Sequence, residues 1–139
     1  MKTTLRALGL AALAALTLQG CLFSGRSINS YQITENVMEV GTDIQNGGLK
    51  RSVSVENVIS ERRDGYLFVQ ARIQNEGWGE KKIEWSVEWY DGSGLLLGKP
   101  TAWEVLRLGA GEFETLRRTA PTPEAITMRL SVRPLDTVR

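Results

Sequence analysis

Two pairs of acidic residues have a spacing at which carboxylates could act together. Glu84 and Glu88 are four residues apart in an alternating polar and apolar stretch, whereas Glu112 and Glu114 are two residues apart. On a strand, the first pair would span about 13 Å and the second about 7 Å. Since the two carboxyl groups of a glycoside hydrolase are roughly 5–9.5 Å apart, only the second pair suits that chemistry. The sequence predicts no apolar pocket around Glu112 and Glu114, so we expect solvated surface acids.

The composition excludes several other kinds of chemistry. The 139 residues include no histidine and one cysteine. Metal sites with histidine ligands, cysteine-based zinc sites, Ser-His-Asp and Cys-His nucleophile systems and an internal disulfide are therefore excluded. The 17 Lys and Arg residues against 16 Asp and Glu give a net charge of +1, which does not predict the basic surface that nucleic-acid binding requires. We expect a non-enzymatic protein with no cofactor, no metal and no nucleic-acid partner.

The cysteine lies at the end of an apolar N-terminal segment. Lys2 and Arg6 are followed by the apolar residues 7–18, which are too few to cross a hydrocarbon core of ~30 Å at ~1.5 Å per residue. This pattern is typical of a secretory signal peptide over residues 1–20. The sequence LQGC at residues 18–21 resembles a bacterial lipobox, which implies cleavage before Cys21 and acylation of its thiol, palmitate included. The alternative is a plain signal peptide followed by an unmodified cysteine.

The residues after the cysteine suggest where the chain is anchored. Leu22 stands where an aspartate favours retention in the inner membrane of Gram-negative bacteria. The lipobox resemblance therefore implies a lipid anchor at the periplasmic face of the outer membrane. Residues 21–48 are rich in Ser, Gly and Asn, which predicts an acylated N-terminus and a flexible tether. An edge strand over residues 31–33 or 37–40 is the most structure that we expect there.

From residue 49 to residue 139 the chain is predicted to form the folded domain. Apolar and polar residues alternate with a period of two, which is typical of antiparallel strands with one buried face. The predicted inward residues are Val53, Val55, Leu67, Val69, Ala71, Ile73, Ile83, Trp85, Val87, Trp89, Ile126, Met128, Leu130 and Val132. Shorter strands are predicted over residues 95–97, 103–108 and 112–119, and no segment shows a helical period. About seven strands separated by glycine and proline turns predict an all-β, immunoglobulin-like antiparallel β-sandwich without a disulfide.

One aromatic residue lies in a predicted turn instead of a strand. Trp78 stands between Gly77 and Gly79, just before the strand that contains Trp85. Two interpretations are open for it. An exposed indole could anchor a partner, whereas an indole folded back against the domain would only fill space.

Several of these segments together resemble a known family. The stretches over residues 67–75 and 85–94, together with Trp103 and the turns over residues 108–112 and 120–123, resemble the YcfL-like family of small bacterial envelope lipoproteins. The resemblance covers roughly residues 37–133 and implies a lipoprotein whose role is uncharacterised and which has no assigned catalytic residues. Members are often encoded beside the lipoprotein activator of a peptidoglycan synthase, which implies work in the cell envelope.

These observations predict a lipoprotein of the outer membrane that acts as a non-enzymatic binding or assembly module. The expected partners are the membrane, through the lipid on Cys21, and an envelope protein or peptidoglycan, through Trp78. The alternative from a different class is an envelope glycoside hydrolase that uses Glu112 and Glu114.

Overall fold

The computed structural model describes residues 27–36 and 41–135. The strands within these residues are β1 (Asn29–Thr34), β2 (Gly41–Ile44), β3 (Val53–Arg63), β4 (Tyr66–Asn75), β5 (Lys81–Tyr90), β6 (Leu96–Leu97), β7 (Glu104–Leu108), β8 (Phe113–Thr119) and β9 (Thr127–Pro134). One short helix, α1 (Gly47–Ser52), lies between β2 and β3. The predicted signal peptide over residues 1–20 and the predicted acylation site Cys21 lie outside the described residues.

The strands form two antiparallel sheets. The larger sheet has the order β2-β1-β9-β5, and both β6 and β7 pair with the remaining side of β5. The smaller sheet has the order β3-β4-β8. This arrangement confirms the predicted all-β antiparallel sandwich without a disulfide. The described residues contain nine strands instead of about seven, because β1 and β2 come from the segment that was predicted to be a tether. The same residues contain no helix of the length and hydrophobicity that spanning a membrane requires.

The domain therefore begins earlier than the predicted boundary at residue 49. Strand β1 lies between β2 and β9 and pairs with β9 along its whole length. It buries Tyr31 and Ile33 in the core. The prediction of a tether is corrected for the described part of residues 21–48, and the predicted edge strand over residues 31–33 is an interior strand. The second candidate, residues 37–40, lies outside the described residues.

The core between the sheets confirms the predicted phase of the strands. The predicted inward residues of β4 and β5 are all between 0% and 5% exposed, namely Leu67, Val69, Ala71, Ile73, Ile83, Trp85, Val87 and Trp89. On β9, Met128, Leu130 and Val132 are also buried. Val55 and Ile126, at the margins of the core, are half-buried.

Helix α1 was not predicted, and a pair of asparagines explains its position. Asn46 precedes the helix, and its side-chain oxygen accepts a hydrogen bond from the backbone N–H of Leu49 at 2.8 Å. This is the contact expected of a residue that caps the start of a helix. Asn29 of β1 is fully buried and binds the backbone of Asn46 twice, at 2.8 and 2.9 Å. The larger sheet therefore fixes where the helix begins, which a search for helical periodicity cannot detect.

Candidate functional site

Trp78 lies at the tip of the loop that connects β4 to β5. Its side chain is 100% exposed, the largest value among the exposed hydrophobic residues of the described chain. Of the two arrangements that the sequence left open, the structure has the exposed one. An indole that contacts nothing within the domain contributes no packing to the fold, and its apolar surface is available to a partner.

The loop beneath Trp78 is attached to the domain by a buried asparagine. Asn75, which is 0% exposed, donates from its side-chain nitrogen to the carbonyl oxygens of Gly79 and Gly109, each at 2.8 Å. The same nitrogen lies 3.1 Å from the carbonyl oxygen of Leu108, so three acceptors share its two N–H groups. The side-chain oxygen of Asn75 accepts from the backbone N–H of Gly77 at 2.9 Å. Asn75 thus joins the Trp78 loop to the turn between β7 and β8.

A second set of contacts attaches the start of the same loop. The backbone N–H of Glu76 donates to the carbonyl oxygen of Ser52 at 2.8 Å. The hydroxyl of Ser54 donates to the Glu76 carboxylate, also at 2.8 Å. A Cβ atom at Gly77 would lie 3.1 Å from the side-chain oxygen of Asn75, which explains why this position suits glycine. The backbone on both sides of Trp78 is therefore held in place while its side chain is not.

A groove lies on the outer face of the larger sheet, away from the core. Three serines, Ser30 of β1, Ser131 of β9 and Ser86 of β5, occupy paired positions and so point to the same face. The hydroxyls of Ser30 and Ser131 are 3.3 Å apart and share a hydrogen bond. Because serine is shorter than the residues on either side of this row, the row forms the floor of a cavity of about 640 Å³. We call this feature the serine groove.

One side of the serine groove is a row of longer polar residues. Gln32, Arg129 and Glu88 occupy paired positions on β1, β9 and β5. The Arg129 guanidinium lies 3.4 Å from the Glu88 carboxylate, and the Tyr90 hydroxyl donates to the same carboxylate at 2.8 Å. Burial raises the pKa of Tyr90 above its ordinary value, and the hydrogen bond and negative charge of Glu88 raise it further, while Arg129 lowers it. The pair between Glu88 and Arg129 is thus part of a small network.

The opposite side of the serine groove is aromatic. Trp103 lines the groove, and the Arg133 guanidinium lies over its ring, 3.8 Å from the ring centre. Arg133 in turn donates to the Glu84 carboxylate at 2.9 Å. The segment before Trp103 is attached to β5 by Thr101, whose hydroxyl accepts from the Val87 N–H at 2.7 Å and whose N–H donates to the Val87 carbonyl at 2.9 Å. The position of the indole is therefore fixed from both its backbone and its ring.

The predicted acidic pairs have different surroundings. Glu84 and Glu88 each lie beside an arginine of β9, and Glu88 lines the serine groove. Glu112 and Glu114 are exposed and neither lines the groove. Glu112 precedes β8, and its carboxylate accepts from the Gly109 N–H at 2.7 Å, which closes the turn between β7 and β8. Over residues 27–36 and 41–135, no three potential metal ligands of the His, Cys, Asp or Glu type lie close enough to share an ion.

The serine groove was not found from the sequence, although part of its signal was there. The alternating pattern places Ser86 and Ser131 on outward positions of two predicted strands. Ser30 and Gln32 belong to the segment that was predicted to be a tether, and the register that aligns them with β9 is a property of the folded sheet.

The fold and these two features define a small antiparallel β-sandwich with an exposed tryptophan loop and a polar groove on one sheet. The chain belongs to the DUF1425 family, which is described as a protein of unknown function and whose match covers residues 41–134. A search of curated proteins found no match.

Two solved structures are similar to this chain. A DUF1425 family member from Shewanella sp. pv-4 is 21% identical, with a TM-score of 0.56 over 77% of this chain and 98% of that one. The Campylobacter jejuni protein cj0090 is 24% identical, with a TM-score of 0.54 over 64% of this chain and 93% of that one. At these identities the likeness shows the fold alone.

Proposed function

We propose that this protein is a lipid-anchored, non-enzymatic binding module of the bacterial envelope and belongs to the YcfL-like lipoproteins. Its anchor is the acylated Cys21, and Leu22 directs it to the periplasmic face of the outer membrane. The observation that carries the binding role is the fully exposed Trp78 on an attached loop. The partner that Trp78 contacts is another component of the envelope, either a protein or peptidoglycan.

The energetics of an indole support this role. A tryptophan side chain that becomes buried removes about 150–250 Å² from water. At roughly 25 cal/mol per Å², this burial is worth about 4–6 kcal/mol before the entropic cost of association. Trp78 contributes none of this to the fold, since it is fully exposed. The contacts of Asn75 and Glu76 order the loop backbone beforehand, which lowers the conformational entropy that binding must remove.

The alternative of an envelope glycoside hydrolase has less support from the geometry. The Glu112 carboxylate is occupied in closing a turn, and neither Glu112 nor Glu114 lines the serine groove. Peptidoglycan cleavage by the wild-type protein that is lost in Glu112→Gln would reverse this preference.

Cross-linking in intact cells followed by capture of the protein tests the contact. Trp78→Ala should reduce recovery of the cross-linked partner about thirtyfold or more, since aromatic contacts of this kind contribute about 2 kcal/mol or more. Phe113→Ala is the matched control, because Phe113 is an aromatic residue that is 51% exposed on another element. Equal recovery with the wild type and Trp78→Ala, or an equal loss with Phe113→Ala, would contradict a specific role for Trp78.

Membrane fractionation tests the anchor. Cys21→Ser removes the thiol that acylation requires, so we expect an unprocessed precursor in place of the mature protein. Leu22→Asp should shift the mature protein from the outer towards the inner membrane. A Cys21→Ser protein of normal mature size that still floats with membranes would contradict lipid attachment at this residue.

A further inference from the structure

We propose that the serine groove binds an uncharged saccharide chain. This site is separate from Trp78 and is a second binding function of the domain. It follows from three properties of the groove: a floor of hydroxyl groups, a single lining cation that is already paired with a carboxylate, and one wall formed by a fixed indole.

The floor presents groups that match a polyhydroxylated ligand. A hydroxyl both donates and accepts hydrogen bonds, and so does each hydroxyl of a sugar. The row of Ser30, Ser131 and Ser86 spans two inter-strand spacings, or about 10 Å. Ser131 and Ser86 are 8% and 5% exposed and Ser30 is half-buried, so these hydroxyls lie at the bottom of the groove. A sugar chain along the row would reach them through its own hydroxyl groups. The amide of Gln32 and the charged pair beside it add further donors and acceptors at the edge of the floor.

The charges of the lining disfavour an anionic ligand and a shared metal ion. Among the described lining residues, the charged ones are Asp43, Glu88 and Arg129. Arg129 already lies 3.4 Å from Glu88, so an anion would have to compete with that carboxylate. Asp43 and Glu88 stand on β2 and β5, three strand spacings or about 14 Å apart, which is too far for two carboxylates to share one cation. Asp43, which is paired with Ser30 and exposed, is a single carboxylate at one end of the serine row. The lining therefore disfavours an anion and a shared metal ion, and its hydroxyl and amide groups suit a neutral ligand.

The shape of the site also disfavours an added peptide strand. A peptide that extends a sheet pairs with the free backbone groups of an edge strand. The floor of the serine groove is instead the face of β1, β9 and β5, and all three pair on both sides in the larger sheet. Only side chains are available on this face, which suits a ligand that is recognised by hydroxyl contacts.

The aromatic wall supplies an apolar surface for the ring of a sugar. The C–H groups on one side of a pyranose form a flat apolar patch, which packs against an aromatic ring with favourable burial and dispersion. Arg133 lies over one face of the Trp103 ring, 3.8 Å from its centre, and the half-buried indole lines the groove with the part of its surface that remains exposed. The salt bridge from Arg133 to Glu84 holds the indole before the ligand arrives. A fixed ring loses little entropy on binding.

Titration of saccharides into the full-length protein tests the proposal. The protein is purified in a polyoxyethylene detergent, which has no sugar headgroup, and binding is followed by saturation-transfer NMR and calorimetry. The neutral probes are maltotriose and the β-1,4-linked trimer of N-acetylglucosamine, and the charged probe is trigalacturonic acid. We expect at least one neutral trimer to bind at millimolar concentration and the charged trimer to bind at least tenfold more weakly.

Substitutions at two residues of the groove, Ser131 and Trp103, locate the site. Ser131→Leu fills the floor from its middle strand and should weaken binding of the neutral trimer at least tenfold. Thr127→Leu is the matched control, because it places the same side chain on the same strand and face, outside the groove lining. Trp103→Ala should also weaken binding about tenfold, and Trp103→Phe should restore most of it. Thermal melts confirm that each variant is folded.

Some results of the titration identify the source of the sugar, and others contradict the proposal. Preference for the N-acetylglucosamine trimer points to the glycan of peptidoglycan, and preference for maltotriose points to another neutral glycan. Binding of neither trimer, equal binding of trigalacturonic acid, or full affinity in Ser131→Leu would overturn the proposal. Trp78→Ala should leave saccharide affinity unchanged, so failure of the groove and failure of the Trp78 contact can be told apart.

Discussion

Two tryptophans of this domain are held in opposite ways. At Trp78 the protein fixes the backbone, through Asn75 and Glu76, and leaves the side chain fully exposed. At Trp103 it fixes the side chain as well, through the guanidinium of Arg133 over the ring. The first arrangement can adapt to an uneven macromolecular surface, but the indole loses conformational entropy when it makes contact. The second suits a small ligand of constant shape, since its contact surface is already in place.

A buried polar residue of this small core holds the loop that carries Trp78. Asn75 is fully buried, and its side chain is polar, so it adds little to hydrophobic packing. Its side-chain nitrogen instead donates to three carbonyl groups from two segments of the chain. Without it, the loop that carries Trp78 would lose its main attachment. At the serine groove, a charged pair holds the tryptophan: Arg133 lies over the Trp103 ring and is bound to Glu84. Both side chains of this pair retain contact with water.

The largest expected effect comes from removing the attachment of the Trp78 loop. Asn75→Ala removes the side-chain donor from the carbonyl groups of Gly79 and Leu108 and the acceptor from the Gly77 N–H. The Gly109 carbonyl keeps its hydrogen bond from the Glu112 N–H. At about 1–3 kcal/mol for each buried polar group left unsatisfied, and with partial access of water, we expect the free energy of unfolding to fall by about 3–5 kcal/mol. Urea unfolding measures this loss. Gln74→Ala, on the outward face of the same strand, should change it by less than about 1 kcal/mol.

A loss below about 1 kcal/mol in Asn75→Ala would contradict the claim that this residue holds the loop. A variant with both substitutions tests whether Asn75 affects partner capture only through the loop. If Asn75 acts only through the loop, the loss of partner capture in Asn75→Ala should not add to that in Trp78→Ala.

A smaller effect is expected when the ring of Trp103 is released. Arg133→Gln removes the contact over the indole and the salt bridge to Glu84. A contact between a cation and an aromatic ring contributes about 0.5–2 kcal/mol, so the free energy of unfolding should fall by that amount. Relaxation of the indole ¹⁵N should show that Trp103 has become as mobile as Trp78. Arg117→Gln, which removes an exposed arginine that donates to Gln70, should leave the Trp103 signal unchanged.

The longest alternating segments of the sequence predicted their strands and faces correctly. Strands β4, β5 and β9 have eight to ten residues each, which is enough for alternation to separate an inward from an outward face. The second half of β3 was missed because its register shifts between Glu56 and Ile59, where Asn57 has a φ of 50°. Such a bulge interrupts the alternation, so the pattern no longer has one phase.

The sequence predicted the Trp78 loop but not the serine groove, because only the first depends on residues that are close together in the chain. The position of Trp78 follows from two flanking glycines, which is local information. The serine groove requires Ser30 and Ser131 to be neighbours although they are 101 residues apart in the chain. No local pattern encodes this pairing, and a strand of six residues after the segment with Ser24, Gly25 and Ser27 resembles the continuation of a tether.

The network at the edge of the serine groove should respond to alkaline pH. Burial and the Glu88 carboxylate raise the pKa of Tyr90 above that of the unfolded chain, because both disfavour the phenolate. The stability from this group is therefore complete below the unfolded pKa and decreases as the pH rises through the folded pKa. Glu88→Gln should lower the pKa of Tyr90, measured by ultraviolet titration with Tyr90→Phe as the reference. Glu84→Gln, whose carboxylate pairs with Arg133 instead, should leave it unchanged.

The smallest effect is expected from the substitution that removes the most exposed aromatic ring. Trp78→Ala should change the free energy of unfolding by no more than about 0.5 kcal/mol. The indole is 100% exposed, so its removal leaves no cavity in the domain. Trp89→Ala is the matched variant in the core, where the side chain is 5% exposed, and it should lower the free energy of unfolding by about 3–5 kcal/mol. Urea unfolding of both variants, under the same conditions, measures the difference. A loss of more than about 1 kcal/mol in Trp78→Ala would show that the indole folds back onto the domain in solution. In that case its surface would be unavailable to a partner, and the contrast with Trp103 would disappear.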